Sequence, residues 1–175
     1  RISAIRGRDV LVYASAGFKH VDGVQIDNRD IAPIRDQLTE IEGNELDLIL
    51  ETPGGSAEAV ERIVCLLRNR FTHVGIIVPG SAMSAGTILA LSGDEILMDE
   101  SSSLGPIDAQ IIKKDTVFSA DALIKGFERI KSEVERTGKL NLAYVPILRE
   151  ISPGELQHAE NARELAVDLV KKWLV

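Results

Sequence analysis

The chain has 175 residues, the size of one ordinary domain or of a domain with an appended helical arm, and it can bury about 70% of its unfolded surface without disulfide or metal staples. Hydrophobic residues make up 45% and charged residues 27%, a globular rather than a disordered balance, and aromatics at 4% leave an aliphatic core with few rings for stacking bases or sugars. The 20 Lys and Arg against 27 Asp and Glu give a net charge of -7 with no basic stripe, which argues against a nucleic-acid partner.

Val10 to Ala14 reads as a short buried strand after a mixed-charge lead-in. A loop or twisted strand pair follows through Gly17, Gly23 and Asn28. Asp30 is placed to cap a helix whose apolar positions are Ile31, Ile34, Leu38 and Ile41, with Pro33 in the first turn and Gly43-Asn44 as the stop. Leu46 to Thr52 is a strand, and Pro53-Gly54-Gly55 turns it into a helix with Ala57, Val60, Val64 and Leu67 on one face. Val74 to Val78, bounded by Pro79-Gly80, has the unbroken apolar run of a strand covered on both faces. A small-residue helix from about Ala82 to Leu91 and a strand from Glu95 to Met98 complete a strand–helix alternation, which predicts βαβ units on a parallel sheet.

Beyond Asp99 the pattern changes. Ser101 to Pro106 is a loop, and Gln110 to Ile112 is a candidate strand. From Ser119 onward the chain reads as helical: Leu123, Phe127, Ile130 and Val134 mark one helix ended by Gly138. A shorter one runs from about Leu140 to Glu150, bent at Pro146. Ser152-Pro153 opens a third, striped by Leu156, Ala159, Ala162, Ala166, Leu169 and Trp173. The expected division is an α/β core over 1–118 and a helical arm over 119–175 within one domain.

Two segments put small residues at the carboxyl end of a predicted strand, the edge at which open α/β sheets bind ligands. In Thr52-Pro53-Gly54-Gly55-Ser56, a glycine pair entering a helix can aim backbone N–H groups at an anion or a developing oxyanion, or can simply supply a turn with positive φ. No Gly-Lys-Ser/Thr follows, so it is not a phosphate-binding Walker loop. In Gly80-Ser81-Ala82-Met83-Ser84-Ala85-Gly86-Thr87, Ser84 stands among small neighbours just after a buried strand. That has the logic of a nucleophile elbow without its Gly-x-Ser-x-Gly signature, and it equally suits a helix packed tightly through its small face. A serine at one strand end and a glycine amide at the next are the minimum for acyl transfer.

Leu48 to Gly55, Val78 to Thr87, Asp94 to Asp99 and Leu104 to Gln110, in that order, resemble the serine dehydrogenase proteinase family. That family stands with the Clp-type and signal-peptide-peptidase-type serine peptidases of the crotonase-like superfold. The resemblance implies a Clp-protease-like α/β fold and a serine peptidase that takes an extended peptide. Ser84 matches the nucleophile, and Gly55 with Gly54 beside it and Ala85 match the oxyanion-hole donors. The helical arm matches a homo-oligomer surface, and no cofactor or metal is implied.

The general base is the open position. Clp-type enzymes place a histidine near Leu104 to Ile107, where this chain has Pro106 and no histidine. Signal-peptide-peptidase relatives use a lysine, whose pKa must fall by about 3 units from near 10.4 to act at neutral pH. Lys113 and Lys114 follow the Gly-Pro-Ile-Asp loop and Lys114 is the candidate, whereas Lys125 falls opposite the apolar helix face and reads as exposed. Asp108 of the same loop is a second candidate, as base or orienting group. His20 reads as a loop residue, His73 as lying at the wrong end of its strand, and His158 as a packing or interface residue.

Two other readings stand beside the peptidase. One is an inactive peptidase-like scaffold that assembles or holds extended peptides; the other, a lesser one, is an acyl-CoA enzyme of the same superfold. Cys65 is the one cysteine, so no internal disulfide forms, no Cys/His cluster suggests zinc, and the longest apolar runs fall short of the ~20 residues of a membrane helix. The start at Arg1 reads as a fragment or processed product. The expected place is cytoplasmic, with membrane association open through sequence ahead of Arg1.

Overall fold

A computed structural model describes residues 1–17, 23–113 and 116–173. Four strands, β1 (Asp9–Ala14), β2 (Glu45–Glu51), β3 (His73–Val78) and β5 (Glu95–Met98), form one sheet in the order β1-β2-β3-β5 with every pairing parallel. Between β3 and β5 lies the two-residue strand β4 (Ser81–Ala82), which pairs in parallel with β6 (Ser103–Leu104) to make a second, small sheet. A single bridge from Thr52 to Ala82 ties this second sheet to the end of β2, and another pairs Ile26 with Gly55.

The core is aliphatic, as the composition requires. Leu46, Leu48 and Leu50 of β2 and Val74, Ile76 and Val78 of β3 are all buried, each such side chain contributing about 1.5–3 kcal/mol. Helix α2 (Ile31–Thr39) sends in Ile34 and Leu38, and α3 (Ala57–Arg70) buries Ala59, Val60, Ile63, Val64 and Leu67. Helix α4 (Ala85–Leu91) is buried along six of its residues, Ala85 to Ala90. Ser56 caps α3 by accepting the Ala59 N–H at 3.1 Å.

At the amino ends of the strands a charged row crosses the sheet. Asp47, Gly75 and Glu95 stand in register on β2, β3 and β5. Arg6 and Arg8 reach them from a short first helix, α1 (Ile2–Arg6), and the turn after it. Arg6 Nε donates to the fully buried Asp47 at 2.7 Å, Arg8 Nη1 to Asp47 at 3.2 Å and to Glu95 at 2.5 Å, and Arg6 also pairs with Glu95. Gly75 makes room for this, since a Cβ there would lie 2.4 Å from Asp47 Oδ1. The Arg8 hydrogen bond, first among the causes and opposed by partial desolvation, holds the Glu95 carboxyl down at about 2, with His73 and Arg6 adding to it.

The structure corrects several sequence expectations. Asp30 precedes α2 but does not cap it, because its carboxylate accepts the Tyr13 hydroxyl at 3.0 Å and the Asp27 N–H at 2.8 Å. The small-residue helix begins at Ala85 rather than near Ala82, because Ser81 and Ala82 pair as β4. The lead-in forms α1, whose residues are not buried and so leave no apolar pattern to read. Gln110 to Ile112 does form a strand, β7 (Gln110–Lys113), but as half of an antiparallel hairpin with β8 (Thr116–Ser119).

By packing, the described residues of Arg1–Ile107 and those from Leu169 onward form one unit, and Asp108–Asp168 forms a second. The hairpin groups with the helices, and the boundary between these two units falls at Ile107–Asp108. Within the second unit, Ile111 of the hairpin, Ala120 and Ile124 of α5 (Ala120–Thr137) and Ala159 of α7 (Pro153–Trp173) share a buried cluster. Gly138 ends α5 in a left-handed conformation. Between them Leu142–Tyr144 is a single 3-10 turn and α6 (Val145–Arg149) is five residues long. Pro146 therefore sits in the first turn of a short helix instead of bending a longer one. Ser152 and Glu155 form a reciprocal capping box at the start of α7.

Candidate active site

The carboxyl ends of β2 and β3 carry the two segments singled out in the sequence, and the fold brings them into contact. After β2, the Thr52 N–H donates to the Ser81 carbonyl at 2.9 Å, and the Met83 N–H donates to the Thr52 carbonyl at 3.0 Å. After β3, the chain passes through β4 and reaches Ser84 at φ 52°, ψ -118°. Ser84 is the only non-glycine residue with positive φ among the described residues. Such a conformation costs of order 1–3 kcal/mol and persists only where its surroundings enforce it.

Three close approaches enforce it. A Cβ on Gly54 would lie 2.6 Å from the Met83 carbonyl oxygen and 2.9 Å from Ser84 Cβ, so the first glycine of the pair lies directly against the serine. A Cβ on Gly86 would lie 2.4 Å from Thr52 Cγ2, and one on Gly105 would lie 2.3 Å from Met83 Sδ. Thr87 fastens the start of α4 to both neighbouring segments, its hydroxyl lying 2.7 Å from the Ala82 carbonyl and 2.9 Å from that of Gly105. Gly54, at φ 103°, and Gly55, at φ 153°, adopt backbone that side-chain-bearing residues rarely enter, and Ile26 packs where a Gly55 Cβ would stand.

Ser84 occupies the cap position of α4, yet its side chain makes no capping hydrogen bond. The residue is half-buried, neither sealed in the core nor fully exposed. Among the described residues, the N–H groups of Gly55 and Ala85 have no protein acceptor, whereas the Gly54 N–H donates to Thr52 Oγ1 at 3.1 Å. Of the glycine pair, Gly54 supplies the close approach, and Gly55 carries the amide left without an acceptor among the described residues. A serine hydroxyl near amides that lack an acceptor can serve acyl transfer.

The base candidates fare differently. Lys114 and His20 lie outside the described residues, as does the side chain of Lys113. Asp108 is half-buried at the start of the second unit. Lys125 is 75% exposed and pairs with Asp121 at 2.5 Å, as its place opposite the apolar face of α5 predicts. His73 is at the amino end of β3, 3.3 Å from Glu95, and a six-residue strand of about 17 Å separates that end from the edge bearing Ser84. His158 is exposed on α7. Among the described residues no group of three or more His, Cys, Asp or Glu is placed to hold a metal, and no helix is long and apolar enough to cross a membrane.

The residue that sequence reasoning passed over is Thr52. A threonine at the end of a predicted strand carries no signal of its own, and the contacts of Thr52 across the turn are visible only in three dimensions.

The chain is similar to several known proteins. An uncharacterized protein of Methanocaldococcus jannaschii, MJ1495, is 38% identical over 88 residues, which is 50% of this chain and 30% of that protein. The match thus spans less than a third of that relative's length. A membrane-bound stomatin-specific protease, 1510-N, solved as a serine-to-alanine mutant, is 26% identical with a TM-score of 0.50 over 75% of this chain and 65% of that one. A lysine-to-alanine mutant of 1510-N in complex with a substrate peptide is 24% identical with a TM-score of 0.50, over 96% and 74% of the two chains. Residues 25–150 match the family of ClpP-like SDH-type serine proteinases, and the chain belongs to that family.

Proposed function

We propose that this ClpP-like SDH-type serine proteinase hydrolyses peptide bonds through an acyl-enzyme on Ser84. The observation that carries the reading is the enforced positive φ of Ser84 at the head of α4, with Gly54 packed against its Cβ and the Gly55 and Ala85 amides without an acceptor among the described residues. In this reading Ser84 Oγ attacks the scissile carbonyl carbon while a base removes the hydroxyl proton. The Gly55 and Ala85 N–H groups stabilise the oxyanion. The intermediate collapses, the leaving amine takes the proton back from the base, and water then releases the acyl group. Each oxyanion donor contributes about 10²- to 10³-fold in rate.

Lys114 is the proposed base, with Asp108 as the alternative base or orienting group. A lysine acting at neutral pH needs a desolvated setting, which the salt-bridged and exposed Lys125 lacks. The peptide is bound extended, its backbone pairing beside the Pro53-Gly54-Gly55 segment. Self-assembly is proposed through the Asp108–Asp168 unit, which leaves the apolar side chains of Leu140, Leu142 and Ile147 exposed. The test is covalent capture: a fluorophosphonate probe should add once to the parent protein and not to Ser84→Ala. A folded parent that stays unmodified would favour the inactive scaffold.

A further inference from the structure

We propose that Thr52 is a positioning residue that sets both halves of the oxyanion hole; the inference rests on the serine-peptidase reading of Ser84. Thr52 is the first residue beyond β2 and is buried, at 2% exposure. A hydroxyl in such a place is unfavourable unless hydrogen-bonded, and its bond here is a local one, to the amide two residues ahead.

That bond withdraws the first glycine amide from the site. Thr52 Oγ1 accepts the Gly54 N–H at 3.1 Å and so fixes the Pro53–Gly54 peptide plane. The next plane, whose Gly54 carbonyl accepts the Ile26 N–H at 2.8 Å, carries the Gly55 N–H, which has no protein acceptor among the described residues. The backbone of Thr52 holds the other half. Its N–H and carbonyl pair with Ser81 and Met83, the residues leading into Ser84 and the Ala85 amide. Its Cγ2 methyl fills the space that the missing Gly86 side chain leaves at the first turn of α4. One side chain thus touches both donor segments, through the hydroxyl on one side and the methyl on the other.

The two functions of the side chain separate cleanly by substitution. Thr52→Val keeps the branched shape and removes the acceptor, so the buried Gly54 N–H loses its partner and the Gly54–Gly55 turn re-aims. Thr52→Ser keeps the acceptor and removes the methyl. A purely structural role for Thr52 would order reactivity by stability, whereas an orienting role makes it follow the hydroxyl. The experiment measures the second-order rate constant for fluorophosphonate labelling of parent, Thr52→Val and Thr52→Ser, with urea unfolding of each. Hydrogen exchange of the Gly54 and Gly55 amides is followed by NMR on the same proteins.

Thr52→Val should label about 10- to 100-fold more slowly, with Gly54 exchange accelerated, while Thr52→Ser stays within about threefold of the parent even where it is the less stable variant. Parent-like labelling of Thr52→Val overturns the inference, as does Thr52→Ser labelling as slowly as Thr52→Val. A parent that does not label at all sinks the peptidase reading instead. The orienting role is then judged by exchange alone, and unchanged Gly54 and Gly55 amides in Thr52→Val overturn it.

Discussion

Gly54→Ala tests the way the site is built. The substitution meets two separate obstacles. The first is the backbone: φ 103° is a glycine conformation, and imposing it on alanine costs about 1–3 kcal/mol. The second is space: the new methyl would stand 2.6 Å from the Met83 carbonyl oxygen and 2.9 Å from Ser84 Cβ. Neither neighbour is the end of a flexible side chain, so relief requires backbone movement at the serine itself, for about 1–3 kcal/mol more. The expected loss is about 2–6 kcal/mol in urea unfolding followed by circular dichroism. Gly138→Ala supplies the control, since Gly138 also has positive φ, at 69°, but has open space around its Cβ position. It should cost only the dihedral term, about 1–2 kcal/mol, and leave probe labelling unchanged. Gly54→Ala should also label at least about 100-fold more slowly, because the displaced atoms belong to the nucleophile's own turn. Equal stability of the two variants with parent-like labelling of Gly54→Ala would refute the packed contact between the glycine pair and Ser84.

Gly126, in the interior of α5 with nothing near its Cβ position, should behave oppositely: Gly126→Ala is expected to stabilise by about 0.5–1 kcal/mol in the same urea assay. Glu95 has a depressed folded-state pKa of about 2 against an ordinary 4.5, so its stabilisation is complete above pH 4.5 and is lost as the pH falls from there through 2. Glu95→Gln should flatten the stability profile across that interval and leave its neutral limb unchanged in slope. The double variant Arg6→Ala/Arg8→Ala strands the buried Asp47 carboxylate and should unfold at lower urea, and adding Asp47→Leu should restore part of the loss. Lys114→Ala and Asp108→Asn, compared with Lys125→Ala in the labelling assay, locate the base: loss in the first with Lys125→Ala near parent supports Lys114, and the reverse pattern transfers the role to Lys125.

The sheet was legible in the sequence because its signals are local. Leu46 to Thr52 is Leu/Ile-rich and ends at a Pro-Gly-Gly turn, Val74 to Val78 is an unbroken run without polar side chains, and the α3 face repeats with helical spacing. Ser84, Gly54 and Gly55 stood out because two such segments end consecutive predicted strands, although each alone suits a turn or a tightly packed helix. What escaped was decided by contacts distant in sequence. Ser81 and Ala82 are two residues of strand, too short for a periodicity, and they become one only through Ser103, Leu104 and Thr52. Asp30 reads as a cap until Tyr13, on another element, claims its carboxylate. The same holds for the Arg6, Arg8, Asp47 and Glu95 row, whose members are dispersed over ninety positions of the chain and meet because parallel register aligns them. The α1 helix has no buried face at all, so no hydrophobic pattern announces it.

Whether Ser84 is an activated nucleophile is decided by the intact mass of the purified protein after exposure to a fluorophosphonate, beside Ser84→Ala treated identically. A single adduct on the parent and none on the variant is the expected result. An unmodified parent that is demonstrably folded, or an equal adduct on Ser84→Ala, would contradict it.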